Sequence, residues 1–199
     1  DGKILVEVFP TRDDFSVGTT GLPDLPALGA TFGSVITLVS PKVHVNNELP
    51  VFQWKVVFDH EYMHCVSLQL SKFRIPRWAT EALSVWSEND PRTEQDGLFV
   101  MAYERGLLPE LAEFEEGFTR EKFPGCVMLH SYVAGKIMKF WIDTYGAGKV
   151  RDALVAWGGG ATDEQALSKA FGKPLDELQA EVWDKVYEPF IRSAAGLGK

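Results

Sequence analysis

The sequence predicts an α+β fold, with a small β-rich lobe over residues 1–48 and a mostly helical lobe over residues 49–199 in one domain. Three observations lead to this prediction. Alternating, β-branched runs are confined to the N-terminal lobe, and after it the apolar residues recur at helical spacing. The chain has 199 residues, of which 45% are hydrophobic, so it is long enough to bury a core without disulfides or a structural metal. Strands that precede helices, rather than alternate with them, are typical of the α+β class.

Two strands are expected in the first lobe. Residues 3–9 form a β-branched run, and residues 34–40 form a second one that Pro41 ends. Between them, residues 10–29 contain several glycines and prolines and are expected to be a loop with a short turn. Residues 43–48 are expected to add a short strand or one arm of a hairpin.

The second lobe is expected to consist of helices that Gly and Pro residues separate. Residues 51–71 carry apolar positions at helical spacing with no Gly or Pro, which predicts a long and largely buried helix. A second helix is predicted over residues 77–89, because Pro76 precedes it and Pro91 ends it. Further helices are expected at 94–104, 107–115, 127–145, 148–157 and 163–170, followed by a last helix that Pro174 opens.

Charge and composition argue against two kinds of partner. A formal net charge of −8 and the lack of any Lys/Arg run argue against a nucleic-acid-binding surface. No stretch approaches the ~20 apolar residues of a transmembrane helix, so we expect no membrane segment in this chain. The two cysteines, Cys65 and Cys126, belong to no C-x-x-C motif and are expected to be small buried side chains, and the sequence leaves their pairing open.

The residues that carry chemistry are concentrated in an H-E-x-x-H motif, which His60, Glu61 and His64 form within the predicted long helix. Residues four apart lie on one face of a helix, so the two imidazoles can bind one metal ion. Glu61 is rotated by about 100° from His60 and is left free to act on water as a general base. The alternative is a pair of helix histidines that polar groups of the core satisfy. We favour the metal site, because buried imidazoles without partners cost free energy.

A zinc site of this type needs a third protein ligand and an open position for water. The candidate is Glu81, in the run W-A-T-E-A on the next predicted helix. Its neighbours Trp78, Ala82 and Leu83 are apolar, and a carboxylate among apolar side chains needs a partner, which a metal ion can provide. The alternative is an ordinary glutamate on the helix surface.

Histidine ligands of metal sites are held in orientation by hydrogen bonds from their second ring nitrogen. We therefore expect a polar partner for His60 or His64. Asp59 and Glu88 are near in sequence and are the candidates.

H-E-x-x-H followed by W-x-x-E on the next helix resembles the gluzincin metallopeptidases, in particular the bacterial peptidase MA-like domains and, more distantly, the alanyl-aminopeptidase family. The resemblance implies a thermolysin-like zincin lobe, one Zn²⁺ ion held by His60, His64 and Glu81, and a peptide or protein substrate. Peptidase MA-like domains are often attached to tetratricopeptide repeats, so the resemblance also implies such repeats as a partner in a longer protein.

The same resemblance implies a role for Tyr132. The aminopeptidases carry Y-E-K-G, whose Tyr stabilises the oxyanion, and this sequence has Y-V-A-G from Tyr132 onward. A phenol can donate a hydrogen bond to the negative oxygen of a tetrahedral intermediate. Tyr132 also falls on an apolar stripe, so a core aromatic is the alternative, and His130 is a second candidate donor. Residues 29–37 resemble the aminopeptidase stretch that begins G-A-M-E-N, which implies an edge strand along which substrate binds.

These residues together predict a zinc-dependent peptidase in which Glu61 is the catalytic base and Tyr132 assists. The acidic residue with which the aminopeptidases bind a free amino terminus is absent from residues 29–37, which argues against aminopeptidase specificity. The alternative from another class is a non-catalytic or weakly active zincin-fold domain that binds proteins within a larger repeat protein. The intact Glu61 argues against that alternative, since a purely structural zinc site needs no base.

Overall fold

The structure, a computed structural model, describes residues 2–43 and 53–194. It combines a small mixed sheet with a larger set of helices, which confirms the α+β class. The strands are β1 (Leu5–Phe9), β2 (Gly29–Phe32) and β3 (Val35–Val39). The helices are α1 (Arg12–Thr20), α2 (Trp54–Leu70), α3 (Arg77–Ser87), α4 (Asp96–Glu104), α5 (Phe114–Thr119), α6 (Cys126–Tyr145), α7 (Ala147–Gly158), α8 (Asp163–Phe171), α9 (Leu175–Val182) and α10 (Glu188–Ala194), and a π-helical turn (Trp183–Tyr187) joins the last two.

The three strands form one sheet in the order β1-β3-β2, with β1 parallel and β2 antiparallel to the central β3. Side chains of β3 alternate between two faces, because successive residues of a strand point in opposite directions. Ile36 and Leu38 are fully buried in a cluster with Cys65 of α2. Thr37 faces the other way, where the hydroxyl of Thr19 on α1 donates to its Oγ1 across 3.3 Å. The sheet therefore lies between α1 and α2.

Helix α1 is the main departure from the sequence prediction, which placed a loop over residues 10–29. Thr11 caps the helix, and its side chain accepts a hydrogen bond from the main-chain N–H of Asp14. The helix ends at Gly21, which adopts the left-handed conformation with φ of 74°. Phe15 is fully buried and fastens the helix to the sheet. The prediction was wrong because the glycines and prolines of this segment indicated a loop more strongly than the capping residues Thr11 and Gly21 indicated a helix.

The prediction of a helix over residues 107–115 is also wrong in position. Residues Leu111–Glu113 form a single 3-10 turn that leads into α5. Pro109 is the cause, since a proline favours extended backbone in the residue before it and cannot donate a helical hydrogen bond. Its carbonyl accepts a hydrogen bond across 2.7 Å from the buried hydroxyl of Tyr187, which holds this segment against the end of the helical lobe.

The other predicted elements agree with the structure within a few residues. The predicted strands are β1 and β3, and the predicted helices at 77–89, 94–104, 127–145, 148–157 and 163–170 are α3, α4, α6, α7 and α8. The long helix predicted over 51–71 is α2, and residues 51 and 52 lie outside the described residues. The arm predicted at 43–48 also lies outside the described residues, apart from Val43.

A cluster of buried aromatic side chains joins α3 to the helices that follow it. The ring centroid of Trp78 on α3 lies 5.5 Å from that of Phe114, 6.4 Å from that of Trp141 and 6.1 Å from that of Trp157. The indole N–H of Trp78 donates to Asp163 across 2.7 Å, and the indole N–H of Trp157 donates to the other oxygen of that carboxylate across 2.9 Å. One carboxylate at the start of α8 thus satisfies two buried donors and connects α3, α7 and α8.

Both cysteines are buried free thiols, Cys65 in the middle of α2 and Cys126 at the start of α6. This confirms the expectation of small buried side chains. Among the helices of residues 2–43 and 53–194, none combines the length and the apolar character that crossing a bilayer requires.

Replacing Gly135 with alanine is expected to destabilise the protein. Gly135 lies where α6 packs on α3, and a Cβ atom there would come within 2.4 Å of Cγ1 of the buried Val85. A β-branched side chain has little freedom to move aside, so overpacking should cost roughly 1–3 kcal/mol of unfolding free energy, measured by chemical denaturation.

The matched control is Gly148→Ala on α7, where a Cβ atom would meet nothing within 4 Å. This variant should be neutral or up to about 1 kcal/mol more stable, because alanine is the better helix former. Equal stabilities of the two variants would contradict the close packing of α3 on α6.

Candidate metal centre

The three predicted ligands meet between α2 and α3. The chain reverses between Ser71 and Pro76, so that α3 packs along α2. His60 and His64 lie one turn apart on α2, with their Nε2 atoms 3.1 Å from each other. The carboxylate of Glu81 on α3 lies 3.7 Å from Nε2 of His60 and 3.9 Å from Nε2 of His64. One ligand atom from each of the three residues lies within 4.8 Å of the other two.

Glu88, one of the two candidates named from the sequence, orients His60. Its carboxylate, which is 6% exposed, accepts a hydrogen bond from Nδ1 of His60 across 2.6 Å. Because a carboxylate only accepts, the hydrogen of the neutral imidazole lies on Nδ1 and the lone pair on Nε2. Arg92 binds the same carboxylate through two of its nitrogens, with Nε 2.7 Å from Oε2. Asp59, the other candidate, pairs instead with Lys55.

A chain of hydroxyl groups orients His64. Ser67 Oγ donates to the main-chain carbonyl of His64 across 3.1 Å, so its hydrogen is already used. Thr80 Oγ1, which lies 2.8 Å from Ser67 Oγ, must then donate to it and accept from Nδ1 of His64, also 2.8 Å away. This assignment of hydrogens leaves the lone pair of His64 on Nε2 as well.

The arrangement fits a bound cation. Two imidazole lone pairs and a carboxylate converge on one point, and these groups repel one another unless a positive charge lies between them. Burial lowers the pKa of His64 to about 3, aided by the positive charges of His60 and Arg77. Burial also acts to lower the pKa of His60, but the hydrogen bond to Glu88 and the surrounding carboxylates outweigh it and raise that pKa. The site therefore keeps His64 neutral, as a metal ligand must be, and attracts positive charge at His60.

Glu61 follows His60 on α2, lies close enough to His60 and Glu81 to interact with their charges, and is held by the sheet. The hydroxyl of Thr31 on β2 is 2.7 Å from Oε2 of Glu61 and 2.9 Å from its main-chain oxygen. Gly29 allows β2 to come this close to α2, because a Cβ atom there would lie 2.8 Å from Cγ of Glu61 and 2.8 Å from Cγ1 of Val57. The edge strand and the motif helix are thus in direct contact at the predicted base.

The surroundings of Glu61 suit a proton acceptor. Its side chain is buried, and burial raises the pKa of the carboxyl, while the charge of His60 and the hydrogen bond from Thr31 oppose this shift. Within the described residues only Oε2 accepts a side-chain hydrogen bond, so Oε1 is open. A carboxylate with a raised pKa and one open oxygen is suited to general-base chemistry.

Tyr132 and His130 lie in the core of the helical lobe. The hydroxyl of Tyr132 donates to Asp96, and the residue is 2% exposed. Nδ1 of His130 donates to the main-chain carbonyl of Cys126 across 2.8 Å, and its ring packs between Phe114 and Phe118. Among the described side chains, no hydrogen bond joins either residue to the three ligands. The oxyanion role of Tyr132 stays a prediction.

Sequence reasoning left Thr31, Thr80 and Arg92 without a role. Arg92 follows Glu88 by four residues, and this i,i+4 spacing could have indicated their pairing. Thr80 gave no such signal, since adjacent residues of a helix such as Thr80 and Glu81 point in different directions. Thr31 could not be found this way, because it comes from another element.

No family model, no curated protein and no solved structure matches this chain. The likeness to gluzincins therefore rests on the residues of the motifs themselves. The geometry between α2 and α3 is the observation from which a function has to be argued.

Metal affinity is expected to depend on Glu88. Glu88→Gln keeps an acceptor for His60 but removes the negative charge to which both His60 and Arg92 are bound. Loss of such a partner typically weakens metal binding about 10- to 100-fold, and we expect the same here. Competition of the purified chain with a chromophoric chelator for Zn²⁺ measures the affinity.

The control is Glu188→Gln, which removes a carboxylate from an exposed pair with Arg192 at the same i,i+4 spacing. The affinity of this variant for Zn²⁺ should equal that of the wild type. Equal affinities in Glu88→Gln and the wild type would show that the charge of Glu88 does not contribute to metal binding.

Proposed function

We propose that this chain is a zinc-dependent peptidase, with one Zn²⁺ ion bound by His60, His64 and Glu81 and with Glu61 as the general base. One observation carries the proposal: two imidazole Nε2 atoms and a carboxylate converge beside a second, buried carboxylate that is not part of the ligand set. A structural metal site would have no use for Glu61. The proposal includes a thermolysin-like arrangement of the two lobes, and tetratricopeptide repeats as a partner in a longer protein.

Zinc is proposed because of the donor set. Two imidazoles and one carboxylate with room for a further ligand are typical of catalytic zinc sites in hydrolases. When bound, Zn²⁺ supplies a Lewis acid that polarises the scissile carbonyl and lowers the pKa of water toward about 7.

Glu61 performs the proton transfers. Oε2 is held by Thr31, so Oε1 takes the proton from the attacking water as the new carbon–oxygen bond forms. The same oxygen then delivers that proton to the leaving nitrogen as the carbon–nitrogen bond breaks. Water is consumed, and Glu61 ends the cycle as it began, ionised.

The substrate backbone is proposed to lie along β2. Within residues 2–43 and 53–194 this strand pairs with β3 on one side only, and it contacts α2 at Glu61. A peptide added to the open edge in extended form would make main-chain hydrogen bonds and pass the base.

Replacing Glu61 with glutamine is expected to abolish turnover and leave zinc bound. The amide can still accept from Thr31, but it cannot take a proton, so hydrolysis of internally quenched peptides should fall by about 10²–10⁴-fold. Mass spectrometry of the native protein should find one zinc per chain in both proteins. The exposed Glu104→Gln serves as the control and should match the wild type.

Equal turnover in Glu61→Gln and the wild type would exclude this mechanism. A wild-type chain that binds zinc but cleaves no peptide would favour the protein-interaction alternative.

Tyr132→Phe tests the proposed oxyanion role. If the hydroxyl leaves Asp96 to bind the developing oxyanion, its loss should lower kcat by about 10²–10³-fold with little change in KM. The control is Tyr187→Phe, which also removes a buried hydroxyl, bonded to Pro109, and should lower stability by about 1 kcal/mol without affecting kcat. An unchanged kcat in Tyr132→Phe would leave this residue a purely structural role.

A further inference from the structure

A cavity of about 330 Å³ lies between the end of α3, the segment that follows it, and α6. This volume suits a small molecule or one amino-acid side chain. Its walls are largely apolar, with Val85, Trp86, Pro91 and the ring of Tyr132 among them. The polar groups at the wall come from Asn89, Asp90, Arg92, Lys136 and Lys139.

The charge of this cavity is opposite to that of the chain. Three basic side chains line it against the single carboxylate of Asp90, whereas the whole chain carries a net charge of −8. Two of the three have other partners. Arg92 binds Glu88, and Lys139 lies 2.6 Å from Asp143.

Lys136 is the basic group left for a ligand. It takes part in no ion pair within the described parts of the chain, and its Nζ lies 4.4 Å from the ring centroid of Tyr132 and 5.1 Å from that of Phe190. Burial lowers its pKa, and the negative charge of Asp96 opposes that shift. An aromatic face stabilises an ammonium group only partly and leaves its N–H donors free to bind an anion.

We propose that this cavity binds a carboxylate carried on a short apolar or aromatic stem, with Lys136 as the hydrogen-bond donor to the carboxylate. The apolar walls hold the stem, and Asn89 adds a neutral polar group at the rim. The carboxylate belongs either to an acidic side chain of a peptide or to a free carboxylic acid.

The position of the cavity connects it to the metal centre. Arg92 lines the cavity and donates to Glu88, and Glu88 accepts from His60. The cavity therefore shares Arg92 with the chain of hydrogen bonds that ends at the proposed metal ligand His60. The binding itself requires neither metal nor turnover, so it can be tested separately from the proposed peptidase activity.

The experiment titrates the full chain after metal has been removed with EDTA and the chelator itself by desalting, and follows binding by ligand-observed NMR. One pair of probes is 3-phenylpropanoate and its amide, and the other is the peptide Ac-Phe-Glu-Ala-NH2 and its glutamine counterpart. On the wild type, at least one carboxylate should bind about tenfold more tightly than its amide, which corresponds to about 1.4 kcal/mol. Binding of the peptide alone identifies a subsite for acidic peptides, and binding of the free acid alone identifies a small-molecule site.

Variants assign the binding to Lys136. Lys136→Met should remove the tenfold preference, Lys136→Arg should retain most of it, and Lys149→Met, an exposed lysine on α7, should not change it. Carboxylates that bind wild type no more tightly than their amides would overturn the proposal without recourse to any variant. So would an undiminished preference in a folded Lys136→Met protein.

Discussion

The hydrogen bonding of the largely buried polar side chains between α2 and α3 is the constraint on which the rest of the site depends. A largely buried imidazole without a partner for Nδ1 would oppose folding. Glu88 provides that partner for His60, and Thr80 provides it for His64. Because both partners fix the hydrogen on Nδ1, both Nε2 atoms present lone pairs toward Glu81. The same interactions that make this helix interface stable therefore also shape a site for a cation.

The small sheet contributes more to the site than its size suggests. Its edge strand β2 contacts α2 through Gly29, and Thr31 from that strand holds one oxygen of Glu61. The sheet is in turn held by α1, through the buried Phe15, and by Ile36 and Leu38 of β3 against α2. A shift of this layer would move the carboxylate that is proposed to act as the base, so the sheet and helix α2 are in contact at the point where chemistry is proposed.

Charge is distributed unevenly around the end of α3. On one side the carboxylates of Glu61, Glu81 and Glu88 surround His60 and favour a cation. On the other side Arg92 and Lys136 line a cavity that favours an anion. The guanidinium of Arg92 lies between the two regions, since it lines the cavity and binds the carboxylate that orients His60. Groups of opposite charge thus lie close together on the two sides of Arg92.

The sequence by itself determined what depends on the geometry of one element. The helix period places His60 and His64 on one face, a β-branched run predicted β3, and apolar residues at helical spacing predicted α2 and the larger helices. Where local signals conflicted, as in α1 and around Pro109, the prediction was wrong. Only the tertiary structure decided which groups meet from different elements. Thr31 from the sheet meets Glu61, and Glu88, directly after α3, meets His60. The physical reason is that helix and strand geometry is fixed by neighbours in sequence, whereas the distance between two elements is set by the packing of many side chains at once.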